Sequence, residues 1–273
     1  MKTRMHRWLP LALLPLFCRG MRAESLLDAG YRQMYNLRFT EAHATFARYQ
    51  LEHPSDPIGP VSDAAAWLFS EFDRLDILRS EFAVRDDSFF SSSKRPAADP
   101  AAQKMFDSAL AKTRQLAQPG LLKAPPDPDA MFATVLRLGL HADYLALIQK
   151  RELAALSEIK QARVQAESLL AVQPDYYDAY IAVALENYLL SLKIAPVRWI
   201  LHATGSQTDR RTGLDKLRLT AEKGRYLAPY ARLLGSIAAL RDNDRVGAKI
   251  GLQWLAREYP RNPLYREELE KLK

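Results

Sequence analysis

Apolar residues along most of the chain recur at the three- and four-residue spacing of an amphipathic helix, and no stretch alternates convincingly as a half-buried strand would. In residues 64–79, for example, Leu68, Phe72 and Leu75 fall on one side of the predicted helix. The pattern predicts helices over residues 26–34, 40–50, 64–79, 101–118, 129–149, 152–172, 176–193, 210–224, 229–241, 244–258 and 263–272. The chain is therefore predicted to be all-α.

Two polar segments interrupt this pattern. Residues 85–100 contain adjacent aspartates, a run of serines and two prolines, which favour a loop. Residues 118–128 contain a Pro-Gly pair and a Pro-Pro-Asp-Pro run, and we predict a second irregular connection there. Two helix starts carry capping residues: Asp175 precedes the predicted helix 176–193, and Asn262 precedes Pro263.

Residues 1–23 have the pattern of a secretory signal peptide. Lys2, Arg4 and Arg7 precede an apolar stretch over residues 8–17, and Ala23 marks a cleavage point. As a helix, this stretch would cover only about 15 Å of a ~30 Å hydrocarbon core. We therefore expect a mature chain of residues 24–273, exported to the periplasm. Cleavage after Gly20, an uncleaved anchor, secretion and membrane association are the alternatives.

Charge and cysteine content narrow the function classes. Five of the 39 basic residues lie in residues 1–23, which leaves 34 basic against 32 acidic residues in the predicted mature chain. The net charge of +7 is thus no nucleic-acid footprint, which needs a basic surface on the folded domain. Cys18 lies in the predicted signal peptide. A lipid-attachment motif needs a small residue just before the cysteine, but that residue is Phe17, which argues against lipidation. Disulfides, thiolate zinc sites and a cysteine nucleophile are excluded for residues 24–273.

The clearest local motif lies in residues 26–54. Ala42 is small, Phe46 follows it by one helical turn, and Pro54 disfavours helix at His53. A small residue lets two helices approach closely, and the aromatic ring fills the groove beside it.

This motif resembles the tetratricopeptide repeat, a 34-residue helix-turn-helix unit. The resemblance puts Leu26 on the apolar anchor position of the first helix and Gly30 on its small position. Weaker matches comprise Ala162, Ala166, Leu169 and Pro174, and Ala248, Leu252, Leu255 and Pro260. The closing prolines are not separated by multiples of 34, so the array would be degenerate. The resemblance implies a right-handed α-solenoid whose first helices line a concave groove that binds proteins or peptides. A generic helical bundle is the alternative.

The resemblance also implies which residues line that groove. They are Leu27, Tyr31, Met34, Tyr35, Tyr144, Arg151, Tyr188 and Tyr230. Some relatives hold a C-terminal carboxylate with lysines and asparagines, but Leu27 and Tyr31 occupy those positions in the first repeat. We therefore expect aromatic and apolar contacts with the partner. Packing of the same tyrosines in the core is the alternative interpretation.

Common catalytic signatures are absent: the chain contains no H-E-x-x-H, G-x-S-x-G, G-x-G-x-x-G or Walker-type phosphate loop. The histidines beyond residue 23 show no i, i+4 pair that would bind a metal. We expect no enzymatic activity, no cofactor and no metal. Arg210 and Arg211, between two glycines, are candidate contacts for a carboxylate or phosphate, with a simple helix start as the alternative.

The sequence thus predicts a non-enzymatic, exported helical-repeat scaffold or adaptor that binds a protein or peptide in the cell envelope. We expect no nucleic-acid partner and no transmembrane span in the mature chain. Two alternatives remain open. One is an all-helical small-molecule-binding protein or enzyme with an internal cavity. The other is peripheral membrane attachment through residues 176–201, which are rich in Tyr, Leu and Ile.

Overall fold

A computed structural model of the chain describes residues 24–81, 97–191 and 210–273, without the side chains of residues 80, 81 and 186–191. The predicted signal peptide and residues 85–96 of the predicted first loop lie outside this part. Within it the chain is all-helical, as predicted, and contains no strand. The helices are α1 (Leu26–Tyr35), α2 (Phe39–Glu52), α3 (Ile58–Arg74), α4 (Ile77–Glu81), α5 (Pro100–Leu121), α6 (Pro128–Asp143), α7 (Glu152–Val172), α8 (Tyr180–Ser191), α9 (Arg210–Lys223), α10 (Ala228–Arg241), α11 (Arg245–Glu258) and α12 (Pro263–Glu270).

Two predicted helices have boundaries that differ from the sequence prediction for identifiable reasons. Helix α5 continues to Leu121, so the irregular connection predicted over 118–128 begins only at Leu122. Gly120 lies against α6, where an added Cβ would be 2.6 Å from that of Ala130, and this packing holds the last turn in spite of Pro119.

The helix predicted over residues 64–79 starts earlier than predicted and is divided into two helices, α3 and α4. It begins six residues earlier, at Ile58, because Pro60 lies in the first turn, where a helix needs no N–H donor. It ends at Arg74. Asp76 has a positive φ of 52°, which breaks the helix before α4 begins.

Helices that follow one another in sequence pack side by side. The tightest pairs are α1 with α2, α3 with α5, α6 with α7, α8 with α9, and α10 with α11. The second helix of each pair contacts the first helix of the next, and α12 packs on α11. In addition, α1 contacts α3 and α3 contacts α6, so first helices face one another. A continuous core of buried apolar residues runs through these pairs.

The first pair shows the close approach that its small residues predict. Phe46 is completely buried, and its ring lies where a Cβ on Gly30 would stand, 2.7 Å from Cδ1 and Cζ. Ala42 is also fully buried. Tyr31 meets the Phe46 ring edge-on, with 5.5 Å between the centroids. The predicted pairing of a small and an aromatic residue is thus confirmed.

The first helix also contacts elements near the C-terminus. The hydroxyl of Tyr35 donates to the carbonyl oxygen of Tyr226 over 3.0 Å, and Nδ2 of Asn262 donates to the carbonyl oxygen of Tyr35 over 3.2 Å. At the start of α1, the guanidinium of Arg225 forms two hydrogen bonds of 2.9 Å with the carboxylate of Asp28. Helix α1 is therefore bound to the loops on either side of the last helix pair.

The Asp28–Arg225 pair should make stability depend on acidity. Burial raises the pKa of Asp28, but the hydrogen bonds from Arg225 and Ser25 outweigh it, so the net shift is downward. A lowered folded-state pKa adds stability above the unfolded-state value of about 3.9, and this is lost as the pH falls through the folded-state pKa. We expect Asp28→Asn to flatten the decline in unfolding free energy between about pH 5 and pH 3. Urea denaturation at several pH values measures this, and parallel profiles would contradict it.

Candidate functional site

Most of the predicted groove residues are buried in the core. Those with at most 9% of their surface exposed are Leu27, Tyr31, Met34, Tyr35, Tyr144 and Tyr230. Their contacts are with the chain itself, as the core-packing alternative predicts. Arg151 is exposed just before α7, and the side chain of Tyr188 lies outside the described residues. A partner could reach the buried tyrosines only if the helices separated.

The first helices, together with α7, line a partly open apolar cavity of about 50 Å³. Its walls come from α1, α3, α6, α7, α8 and α10, with Phe69, Leu136 and Ile181 among the lining residues. One polar contact lies in the wall, where the hydroxyl of Tyr230 donates to Asp143 over 3.2 Å. This volume suits a small alkyl group or a few waters and is well below the ~150 Å³ of cavities known to bind benzene.

Gly139 faces this cavity from the interior of α6. A Cβ built on it would meet no atom within 4 Å. Glycine in a helix interior costs about 0.5–1 kcal/mol relative to alanine. We therefore expect Gly139→Ala to raise the free energy of unfolding by about that amount, as measured by chemical denaturation. The matched control is Gly120→Ala, whose Cβ would collide with Ala130 and should lower it; a destabilised Gly139→Ala protein would contradict the prediction.

A second, larger concavity lies at the end of the molecule where α1, α3, α6, α8 and α10 begin. We call it the tyrosine cleft; its volume is about 430 Å³, within the ~300–1,000 Å³ of small-molecule sites. Its lining residues are Ser25, Leu27, Tyr49, Asp56, Ile58, Asp129, Gln173, Asp175, Tyr176, Tyr177, Asp178, Lys223, Arg225 and Tyr226. Five separate segments of the chain meet there.

Two tyrosine hydroxyls in the cleft are fixed by carboxylates. Tyr49 donates to Oδ2 of Asp56 over 2.5 Å, and Tyr176 donates to Oδ1 of Asp129 over 2.9 Å. Burial, together with the adjacent carboxylate, raises the pKa of both tyrosines. The hydroxyls therefore remain protonated donors, and the rings are held in position.

Asp178 holds in place the loop between α9 and α10, which forms one wall of the cleft. It is 4% exposed and accepts hydrogen bonds from the backbone N–H groups of Arg225, Tyr226 and Leu227 at 3.0, 3.1 and 3.0 Å. These groups precede α10, so Asp178 caps that helix from another segment of the chain. Burial raises the pKa of Asp178, although the three N–H groups act in the opposite direction.

Cations in the cleft lie over tyrosine rings. Nζ of Lys223 is 5.0 Å from the centroid of the Tyr177 ring, and the guanidinium of Arg225 is 4.9 Å from that of Tyr226. The Tyr226 ring in turn stacks on Tyr31 at 4.9 Å. The cleft is thus joined to the core through stacked aromatic rings.

The other residues considered for chemistry have partners within the chain. Arg210 pairs with the carboxylate of Asp242, and Arg211 is exposed. Nδ1 of His43 lies 2.6 Å from Oδ1 of Asp63. Among the residues that the structure describes, no hydroxyl hydrogen-bonds to this histidine and no group of three potential ligands could hold a metal ion.

In the part of the chain that the structure describes, one helical stretch is long and apolar enough to cross a membrane, with a mean hydropathy of 1.3. It consists of α6 and the π-helical turn Tyr144–Ile148 that continues it. More than half of it, 56%, is buried inside the protein. A core helix meets the same criteria of length and composition. Of the stretch considered for peripheral attachment, residues 179 and 181–184 are buried and residues 192–201 lie outside the described part.

The sequence prediction missed the tyrosine cleft because its residues come from loops far apart in sequence. The Pro-Asp-Tyr-Tyr-Asp run at residues 174–178 was the one local signal. Asp175 was predicted to cap the next helix, but α8 begins only at Tyr180, after a 3₁₀ turn. The capping aspartate in this run is Asp178, and it caps α10 instead. A contact between two loops is not visible in local spacing.

The chain was compared with protein-family models, with curated proteins and with solved structures, and none of them matches.

Proposed function

We propose that this chain is a non-enzymatic, exported helical-repeat protein that holds a segment of a partner protein in the tyrosine cleft. The proposed architecture is a degenerate, right-handed solenoid similar to tetratricopeptide repeats. The sequential pairing of helices and the close Gly30–Phe46 contact support it, since both are expected of stacked hairpins. The charged and apolar halves of residues 1–23 support export.

The tyrosine cleft is the observation that carries the proposal. It is concave, large enough for several side chains, and lined by tyrosines and an arginine, which are enriched in recognition sites. The first-helix face, in contrast, is filled by its own tyrosines. The partner-binding site is thus displaced from the groove to the end of the helices.

A peptide selection tests this proposal. The protein, purified after expression of the full chain, is used to select from a random peptide library. Asp175→Trp, at an exposed position on the cleft, should block recovery of the selected peptides by filling the opening. Asp107→Trp, at an exposed position on α5, is the matched control and should bind them normally. Peptides that bind both variants equally would refute the cleft as the site.

The apolar cavity favours a second candidate function, the binding of a small apolar molecule. Gly139 leaves open space in the cavity wall, which is the supporting observation. Thermal denaturation in the presence of short n-alkanols tests it. A rise in melting temperature that disappears in Gly139→Val would support this function, and equal shifts in both proteins would refute it.

A further inference from the structure

The charges that line the tyrosine cleft are unbalanced. Four aspartates face one lysine and one arginine. The aspartates are Asp56, Asp129, Asp175 and Asp178. None of them forms an ion pair with any residue in the described part of the chain, whereas Arg225 is already paired with Asp28. Asp178 is buried and its oxygens accept from backbone N–H groups, but the other three aspartates still outnumber the two cations, so the cleft has an excess of negative charge available to a ligand.

Two of these carboxylates belong to residues associated with one aromatic side chain, Tyr176, in the wall of the cleft. Asp129 binds the hydroxyl of Tyr176 through Oδ1, and its Oδ2 accepts no hydrogen bond from the residues that the structure describes. Asp175 adjoins Tyr176 in the chain and is exposed. The ring itself is half-buried and rests on Phe132, with 4.8 Å between the centroids. A tyrosine held in position, a carboxylate on its hydroxyl and a second carboxylate in the same cleft are the groups that attract an organic cation.

The cleft already holds cations in this manner. Lys223 and Arg225 lie over the rings of Tyr177 and Tyr226. These contacts occupy the side of the cleft formed by the loop between α9 and α10. The side formed by Asp129, Asp175 and Tyr176 has the same kinds of groups without a cation of its own.

We infer that Asp129, Asp175 and Tyr176 form a binding site for a cationic side chain, a lysine or arginine carried by the partner segment. This inference rests on the proposed function, because it names the chemistry of the segment that the cleft holds. The ammonium or guanidinium would pair with the two carboxylates while its alkyl stem packs on the tyrosine ring. Pairs of this kind weaken as the salt concentration rises.

Peptide titrations followed by amide shifts in NMR spectra test the inference. The probe is an acetylated five-residue peptide with two lysines among glycines. Matched peptides carry norleucine or glutamate in place of lysine, and n-butylammonium is titrated alone. We expect the lysine peptide to bind at least about tenfold more tightly than the norleucine peptide, with the glutamate peptide weakest.

Two double variants with equal changes in net charge locate the site. Asp129→Asn/Asp175→Asn should weaken binding of the lysine peptide about tenfold. Asp107→Asn/Glu270→Gln removes two exposed carboxylates outside the cleft and should leave binding unchanged. Lys223→Gln should tighten binding, since it removes a like charge from the cleft wall. A merely structural role for the aspartates would not produce this opposite effect.

The outcomes separate the two proposals. Equal binding of the lysine and norleucine peptides in the cleft would overturn the cationic site and leave the peptide-binding function standing. Binding of n-butylammonium as tight as that of the lysine peptide would retain the cationic site and overturn the partner segment. No binding of any probe, or equal losses in both double variants, would overturn both.

Discussion

Replacement of Phe46 by alanine is expected to lower the free energy of unfolding by about 3–5 kcal/mol. The ring is completely buried and fills the space between the first two helices. Its loss removes apolar contact and leaves a cavity that Gly30, with no side chain, cannot fill. Urea denaturation of the wild-type and variant proteins measures the change. Arg48→Ala, at an exposed position on the same helix, is the control and should cost less than about 1 kcal/mol.

Enlarging the residue on the other side of this contact, by Gly30→Ala, should also destabilise the protein. An alanine at Gly30 would place its Cβ 2.7 Å from Cδ1 and Cζ of Phe46, a collision that a packed ring relieves only by shifting. Overpacking of this kind costs about 1–3 kcal/mol. In the Gly30→Ala/Phe46→Ala double variant the new methyl group occupies part of the cavity. The double variant should therefore lose less free energy of unfolding than the two single variants lose in sum. Strict additivity would contradict the close contact.

Replacement of Asp178 by alanine is expected to cost about 3 kcal/mol, because three backbone N–H groups would lose their acceptor in a buried place. The negative charge also favours the N-terminal end of α10. Chemical denaturation of the variant measures the loss.

Asp178→Asn is the informative comparison. Its amide oxygen can still accept a hydrogen bond, but the charge and the second acceptor are gone, so we expect an intermediate loss. Gly224 packs closely against the same carboxylate, since a Cβ there would be 2.6 Å from Oδ1 of Asp178. If alanine and asparagine destabilise equally, the hydrogen bonds to the α9–α10 loop do not contribute as proposed.

Helix periodicity was sufficient to predict most of the secondary structure. The prediction for residues 152–172 coincides with α7, and that for residues 210–224 is within one residue of α9. Asn262 caps α12, as predicted, by accepting from the N–H of Leu264 over 3.1 Å. These features depend on neighbours within a few positions, which a linear pattern contains. Where α5 passes Pro119 and Gly120, packing against α6 outweighed the local breaking signal.

The candidate site was far less accessible to prediction from the sequence. The resemblance to tetratricopeptide repeats predicted that Tyr31, Tyr35 and Tyr230 lie on the inner face of the first helices, but the same positions suit a groove wall and a core. Contacts with Tyr226, Tyr259 and Phe69 decided for the core.

By itself, the sequence of this protein determined the helical class, the small-to-aromatic contact of the first hairpin, and the absence of common catalytic motifs. These depend on spacing and composition, which are properties of short segments. Tertiary structure alone brought the first helix against the loop before α10 and assembled the tyrosine cleft from five segments. Interactions between Asp178 and Tyr226, or between Tyr176 and Asp129, join residues about 50 positions apart. Chain folding sets such distances, and no local pattern encodes them.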